Sequence, residues 1–235
     1  MRKSHSHRKL ANSTNNVAAF LDKLSAIPVV KPITQRGRLI FALDATASRQ
    51  PTWDRACGIQ GEMFNETAGL GGIEMQMVFY RGFGDFQITP WYTRSDALVE
   101  KMTAVQCLGG HTQMEKVLNH AICETRNCNV DAVVFVGDCL EEDIDSVCRV
   151  AGELGVLGVP MFLFQEGVEP TAQMAFRQIA RLTKGAYCQF DLSSAQQLCD
   201  LLRAVAVYAA GGRRALADFG ARTGKDALLI AQQIK

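Results

Sequence analysis

Asp44, Thr46 and Ser48 stand at alternate positions directly after an apolar run, in the stretch RLIFALDATASRQPTWDR. One carboxylate and two hydroxyls at that spacing exceed what a helix start needs, because a single side-chain oxygen accepting from the first-turn amides suffices. Two further segments bring oxygen to comparable places. The glycine-rich LGGHT delivers Thr112 to the start of a helical pattern, and DAVVFVGD delivers Asp138, with Glu141, Glu142 and Asp143 just beyond. Hydroxyls, carboxylates and water suit a hard divalent ion such as Mg²⁺, with Mn²⁺ or Ca²⁺ as alternatives, better than zinc or copper.

Each residue also has a plainer reading. Ser48 precedes a proline-led helical pattern and fits a cap, and Asp44 fits a turn. Thr112 with Glu115 forms an [ST]-x-x-[DE] capping box, and Asp138 fits a cap for the next helix. Taken together, three strand-end segments converging in one fold favour a shared site.

The elements that must position these groups alternate. LIFALD reads as a buried strand, and Pro51 opens a helical pattern that runs to Leu70. GGIEMQMVFYRG is a strand and SDALVEKMTAV a helix. HTQMEKVLNHAICETRN is the clearest helix, with Met114, Val117, Leu118, Ala121 and Ile122 on one face. Strands DAVVFVGD, VPMFLFQEG and AYCQF then alternate with helices from EEDIDSVCRVAGELG, PTAQMAFRQIARLTKG and SSAQQLCDLLRAVAVYAAGG. Continuous apolar strands between helices predict an α/β fold, a doubly wound and mainly parallel sheet flanked by helices. In open sheets of this kind, ligands bind outside the carboxyl ends of the strands.

The chain divides into a polar, basic tail over 1–16 expected to be disordered, a helix and linker over 17–36, a main domain over 37–210 and an amphipathic helix over 211–235. In the last, Ala227, Ile230, Ala231 and Ile234 form an apolar stripe that packs on the domain or docks on a partner. With 235 residues, 48% of them hydrophobic, and a formal net charge of +1, the composition fits one sizeable domain. Neither nucleic acid nor an anionic membrane is expected as a partner. No apolar segment follows MRKSHSHRK, which argues against a secretory leader. The eight cysteines show no C-x-x-C pair, and Cys123 and Cys128 lack a matching Cys/His pair for zinc. They read as buried thiols in a reducing, cytoplasmic compartment.

The motif Asp44-Ala45-Thr46-Ala47-Ser48, followed by Thr112 and Asp138, resembles the metal-ion-dependent adhesion site (MIDAS) of von Willebrand factor type A (VWA) domains. The resemblance covers Arg38 to Ala210 and implies the stand-alone, intracellular bacterial type. Thr46 departs from the more usual serine but keeps the hydroxyl. The acid cluster in GDCLEED is no part of the general motif. The resemblance implies a divalent cation held by Asp44, Thr46, Ser48, Thr112 and Asp138, the hydroxyls directly and the aspartates often through water. Such donors neutralise the ion weakly, so it accepts one more carboxylate from a partner protein. It implies a binding module rather than an enzyme, with an AAA+ ATPase or a J-domain chaperone as partner.

Two other readings compete. A haloacid-dehalogenase-like phosphohydrolase resembles FALDATAS and VVFVGDCLEED, but it needs a carboxylate two residues after the nucleophilic aspartate, where this chain has Thr46. A metal-free VWA scaffold is the other. Gly82 and Gly84 in RGFGDFQ fall short of a dinucleotide fingerprint, because Gln87 occupies the third glycine position. They read as a flexible turn. Trp53 and His111 offer a rim for the site, although both residue types more often pack.

Overall fold

The computed structural model describes residues 36–47, 72–190 and 195–223. The expected tail over 1–16, the helices over 17–27 and 51–70, Trp53 and the stripe from Ala227 to Ile234 lie outside the described residues, and so does Ser48. The elements are β1 (Gly37–Asp44), β2 (Ile73–Arg81), β3 (Asp85–Tyr92), α1 (Ser95–Thr103), α2 (Met114–Asn127), β4 (Ala132–Gly137), α3 (Ile144–Val156), β5 (Met161–Glu166), α4 (Pro170–Leu182), β6 (Ala186–Phe190) and α5 (Ala195–Thr223).

Six strands form one sheet in the order β3-β2-β1-β4-β5-β6, parallel throughout except for β3. The α/β architecture expected from the sequence is the observed one. Alternation along β1 sends Leu39, Phe41, Leu43 and Ala45 into the core beneath α1 and α5, and Ile40 and Ala42 into the core beneath α2, α3 and α4. Both faces are covered, which is why β1 and β4 read as unbroken apolar runs. The predicted face of α2 is the buried one: Met114, Val117, Leu118, Ala121 and Ile122. Gly37 lets α5 lie directly on β1, since a Cβ there would come within 2.4 Å of the Ala209 carbonyl oxygen. Gly212, at φ 66°, kinks α5, and Ala215 and Phe219 beyond the kink still join the core.

The structure adds one strand to the expected set. Arg81 and Asp85 pair across a turn in which Gly82 (φ 58°) and Gly84 (φ 98°) take left-handed conformations. The turn expected there therefore closes a hairpin, and β3 runs back antiparallel to β2. Pro90 has no N–H to give to the ladder. The pairing shifts register between Gln76 and Val78, where Thr89 Oγ1 accepts from the Met77 amide at 3.0 Å. Trp91 anchors the strand: its indole N–H donates to Glu124 on α2 at 2.9 Å, and the Arg38 guanidinium lies 4.0 Å from its ring centre.

The chain passes to one side of β1 through β2 and β3, then crosses to the other side and continues through β4, β5 and β6. The sheet therefore changes direction between β1 and β4, and the crevice at their carboxyl ends is where a ligand site forms in such folds. Among the described residues, no helix is long and apolar enough to cross a membrane.

Candidate functional site

β1 ends on Asp44, and its neighbour β4 ends on Gly137, with Leu43 registered against Val136. Asp138 thus emerges beside Asp44. Gly137 permits the approach: a Cβ there would meet the Phe135 ring at 2.7 Å and the Asp44 Cβ at 3.5 Å. One carboxylate oxygen each of Asp44 and Asp138, with the sulfur of Cys139, lie within 4.8 Å of one another. Asp44 is buried, and its Oδ1 accepts from the Thr46 amide at 2.8 Å, a local turn that holds Thr46 against the strand end.

Thr112 reaches the same edge by a stitched loop. Leu108 N–H donates to the Ala45 carbonyl at 3.0 Å, Gly82 N–H to the Leu108 carbonyl at 3.3 Å, and His111 N–H to the Gly82 carbonyl at 3.3 Å. Arg81 adds a guanidinium bond to the Gln106 carbonyl at 2.8 Å. The loop lies so close to the β2–β3 turn that a Cβ on Gly110 would sit 1.9 Å from the Gly82 oxygen. Glycine at 110 is a condition of the stitch.

The capping box expected at Thr112–Glu115 does not form. The residue before α2 is Gln113, whose side chain caps no backbone amide of the helix and instead accepts from Lys116 Nζ at 2.8 Å. Instead Glu142 caps α2 from a distant part of the chain, taking the Met114 amide at 2.6 Å on one oxygen and the Glu115 amide at 2.9 Å on the other. Glu141 accepts from the Thr112 amide at 3.1 Å, and its own amide donates to Thr112 Oγ1 at 2.9 Å. Glu115 is engaged elsewhere, accepting from the Ser146 hydroxyl at 2.8 Å. The acid cluster thus fastens the Asp138 loop to the Thr112 loop. It also leaves the Thr112 hydroxyl its proton and a second lone pair. Nor does Asp138 cap α3; Asp143 does, accepting from Ser146 N–H at 2.8 Å.

No protein-family model and no curated protein matches the sequence. Among solved structures, a von Willebrand factor type A protein from Catenulispora acidiphila superposes with a TM-score of 0.58 at 14% identity, covering 75% of this chain and 43% of that one. The SpRpn10 VWA domain gives 0.56 at 12% identity, covering 72% of this chain and 94% of that domain. Proximal thread matrix protein 1 from the mussel byssus, with a zinc-occupied MIDAS motif, gives 0.58 at 16%, covering 75% of this chain and 47% of that one. This chain has the VWA fold. It spans less than half the length of the Catenulispora protein.

Two side chains at this edge of the VWA fold, Cys139 and Tyr80, lie outside the motif and carry no signal of the site in the sequence. The expectation of a buried structural thiol does not hold for Cys139. Cys188 is buried as expected, whereas Cys123 and Cys128 are exposed. Cys139 is half-buried against both aspartates. Burial, then the charges of Asp138 and Asp44, push its thiol up to about 12, so it rests protonated at neutral pH and is no ready nucleophile. Tyr80, registered against Asp44 on β2, is wholly buried. Burial first and the Asp44 charge second hold its phenol well above the usual tyrosine range. Its hydroxyl lies against the Asp44 carboxylate, and a side-chain hydrogen bond between the two adds to the rise. A hydroxyl buried this way is a signal that only three-dimensional structure carries.

Of its two readings, His111 takes the rim and not the packing one. It is exposed, edge-on to the exposed Phe83 ring with centroids 5.2 Å apart, and its Nδ1 lies 3.0 Å from Glu141 Oε2. Phe83 and His111 therefore form an apolar and aromatic rim beside the Thr112 loop.

Of the five residues the motif nominates, the structure brings Asp44, Thr46 and Asp138 to the β1–β4 crevice and ties Thr112 to the Asp138 loop through Glu141. Ser48 lies outside the described residues. The donor types suit a cation: two carboxylates, two hydroxyls and a thiol, with a buried phenol O–H turned toward them.

Proposed function

We propose that this chain is a protein-binding module in which Asp44, Thr46, Ser48, Thr112 and Asp138 hold a divalent cation, Mg²⁺ in the first instance, completed by a carboxylate of a partner protein. The observation that carries the reading is the convergence of Asp44 and Asp138 at the switch point between β1 and β4, within 4.8 Å together with Cys139. The VWA fold of the comparison structures supports it, and so does the zinc-occupied MIDAS of the mussel protein, which has this fold. When bound, such a cation would supply an electrophilic centre for an anionic oxygen.

The chain's own groups do the rest. Glu141 and Glu142 clamp the Thr112 and Asp138 loops into one unit, and the glycine stitch sets that unit against the end of β1. The Phe83–His111 rim gives the residues flanking a partner carboxylate an apolar surface. The partner class implied by the motif is an AAA+ ATPase or a J-domain chaperone, in the cytoplasm.

Calorimetric titration with Mg²⁺ and Mn²⁺ tests the metal step. Wild type is expected to bind, and Asp138→Ala to lose at least tenfold in affinity. An absence of heat with wild type for both ions would refute the reading. Retention of an acidic partner peptide that EDTA abolishes tests the protein-binding step, and EDTA-independent retention counts against it.

A further inference from the structure

We propose that Cys139 is itself a metal ligand and turns the site toward thiophilic divalent cations of the Zn²⁺ class. This rests on the metal-site reading above and adds to it a donor that the motif does not contain. The sulfur and one oxygen each of Asp44 and Asp138 lie within 4.8 Å of one another. Donors around a tetrahedral zinc, at ~2.0–2.3 Å from the ion, stand about 3.3–3.8 Å apart. Small side-chain rotations close that difference, and Cys139 is half-buried, so a cation can reach it.

The chemistry of the donor set decides the ion. Mg²⁺ and Ca²⁺ are hard and take oxygen, so a thiol at the pocket gives them nothing. Zn²⁺ takes thiolate sulfur and carboxylate oxygen alike. Oxygen donors alone favour Mg²⁺, and the sulfur of Cys139, next to Asp138 in sequence, shifts that balance.

The wholly buried Tyr80 hydroxyl lies against the Asp44 carboxylate and braces that ligand from the neighbouring strand.

Competition titrations of the full chain against a chromophoric chelator, with Zn²⁺ and Mg²⁺ separately, test the proposal. Cys139→Ser is expected to lower the ratio of Zn²⁺ to Mg²⁺ affinity at least tenfold. Cobalt-loaded wild type is expected to show a sulfur-to-cobalt charge-transfer band in the near ultraviolet that the variant lacks. The variant also separates this site from the exposed thiols of Cys123 and Cys128. An unchanged ratio together with an unchanged spectrum, in proteins that still bind cations, overturns the thiol ligand and leaves the proposed function standing. Failure of wild type to bind any cation overturns both.

A measurement on wild type alone guards against a variant that folds poorly. X-ray absorption of the chain loaded with one equivalent of Zn²⁺ is expected to show a sulfur at about 2.3 Å from the ion. A shell of oxygen and nitrogen alone overturns the proposal.

Discussion

Adjacent glycines in LGGHT should respond very differently to alanine. At Gly110 a Cβ would fall 1.9 Å from the Gly82 carbonyl oxygen and 2.5 Å from the Gly82 Cα, both rigid backbone atoms. The loop and the β2–β3 turn would have to part by more than 1 Å to reach even the 3.0 Å that real Cβ contacts rarely undercut. That separation breaks the His111 N–H to Gly82 and Gly82 N–H to Leu108 bonds, each 3.3 Å long. Two backbone hydrogen bonds at roughly 0.5–1.5 kcal/mol each give a destabilisation of about 1–3 kcal/mol for Gly110→Ala. In a chain of this size that lowers the melting temperature by roughly 2–12 °C.

At Gly109 an added Cβ meets nothing within 4 Å, and neither glycine has a positive φ. Gly109→Ala should therefore stay within about 0.5 kcal/mol of wild type. Urea denaturation followed by circular dichroism measures both, with calorimetric metal titration of the folded proteins alongside. Because Gly110 holds the loop that carries Thr112, its variant should also bind cations more weakly. Equal midpoints for the two alanine variants would refute the stitched-loop account.

Removing the distant cap of α2 gives a further prediction. Glu142→Ala leaves the Met114 and Glu115 amides without their acceptor and should cost about 1–2 kcal/mol in urea denaturation; Glu142→Gln, which keeps one oxygen, should cost less. Indistinguishable midpoints for wild type and Glu142→Ala would show that the cap contributes nothing. Acid should weaken the fold through His120, whose Nε2 lies 2.7 Å from Gln76 Oε1 and whose affinity for a proton burial lowers below the ordinary 6.5, against a smaller opposing pull from Glu124. The unfolded chain then binds the proton first. This contribution is intact above pH 6.5 and is lost as the pH falls below that value, until the folded imidazole also protonates. His120→Gln should flatten this part of the stability profile measured between about pH 7.5 and about pH 5, and an unaltered slope would exclude His120 as its source.

What the sequence disclosed follows the range of the interactions involved. Apolar runs of strand length located β1, β2, β4, β5 and β6, because both faces of a central parallel sheet are buried and every position feels it. The spacing of Met114, Val117, Leu118, Ala121 and Ile122 gave the buried face of α2 in full. β3 escaped because it lies at the end of the sheet, where Gln87, Ile88 and Pro90 are exposed and no apolar alternation builds up, and Pro90 argues against a strand. The motif located Asp44 and Asp138 at neighbouring strand ends. It could not disclose that Thr112 and Glu115 are served by Glu141 and Glu142, since those partners lie 27 to 29 residues away and leave no local pattern. Cys139 and Tyr80 were invisible for a related reason: a thiol and a phenol in apolar strand-end sequence look like core until the neighbouring strand is in place.

Open α/β sheets commonly offer the amides at a helix start to a phosphate. Here the amides of Thr112, Met114 and Glu115 are already taken by Glu141 and Glu142. The chain carries its own substitute for a nucleotide's phosphate and has seated it permanently. A free phosphate ester would have to displace two covalently tethered carboxylates to enter. The positive end of α2 is thereby spent on internal architecture, and the negative groups beside it at Asp44 and Asp138 set the polarity of what this crevice attracts.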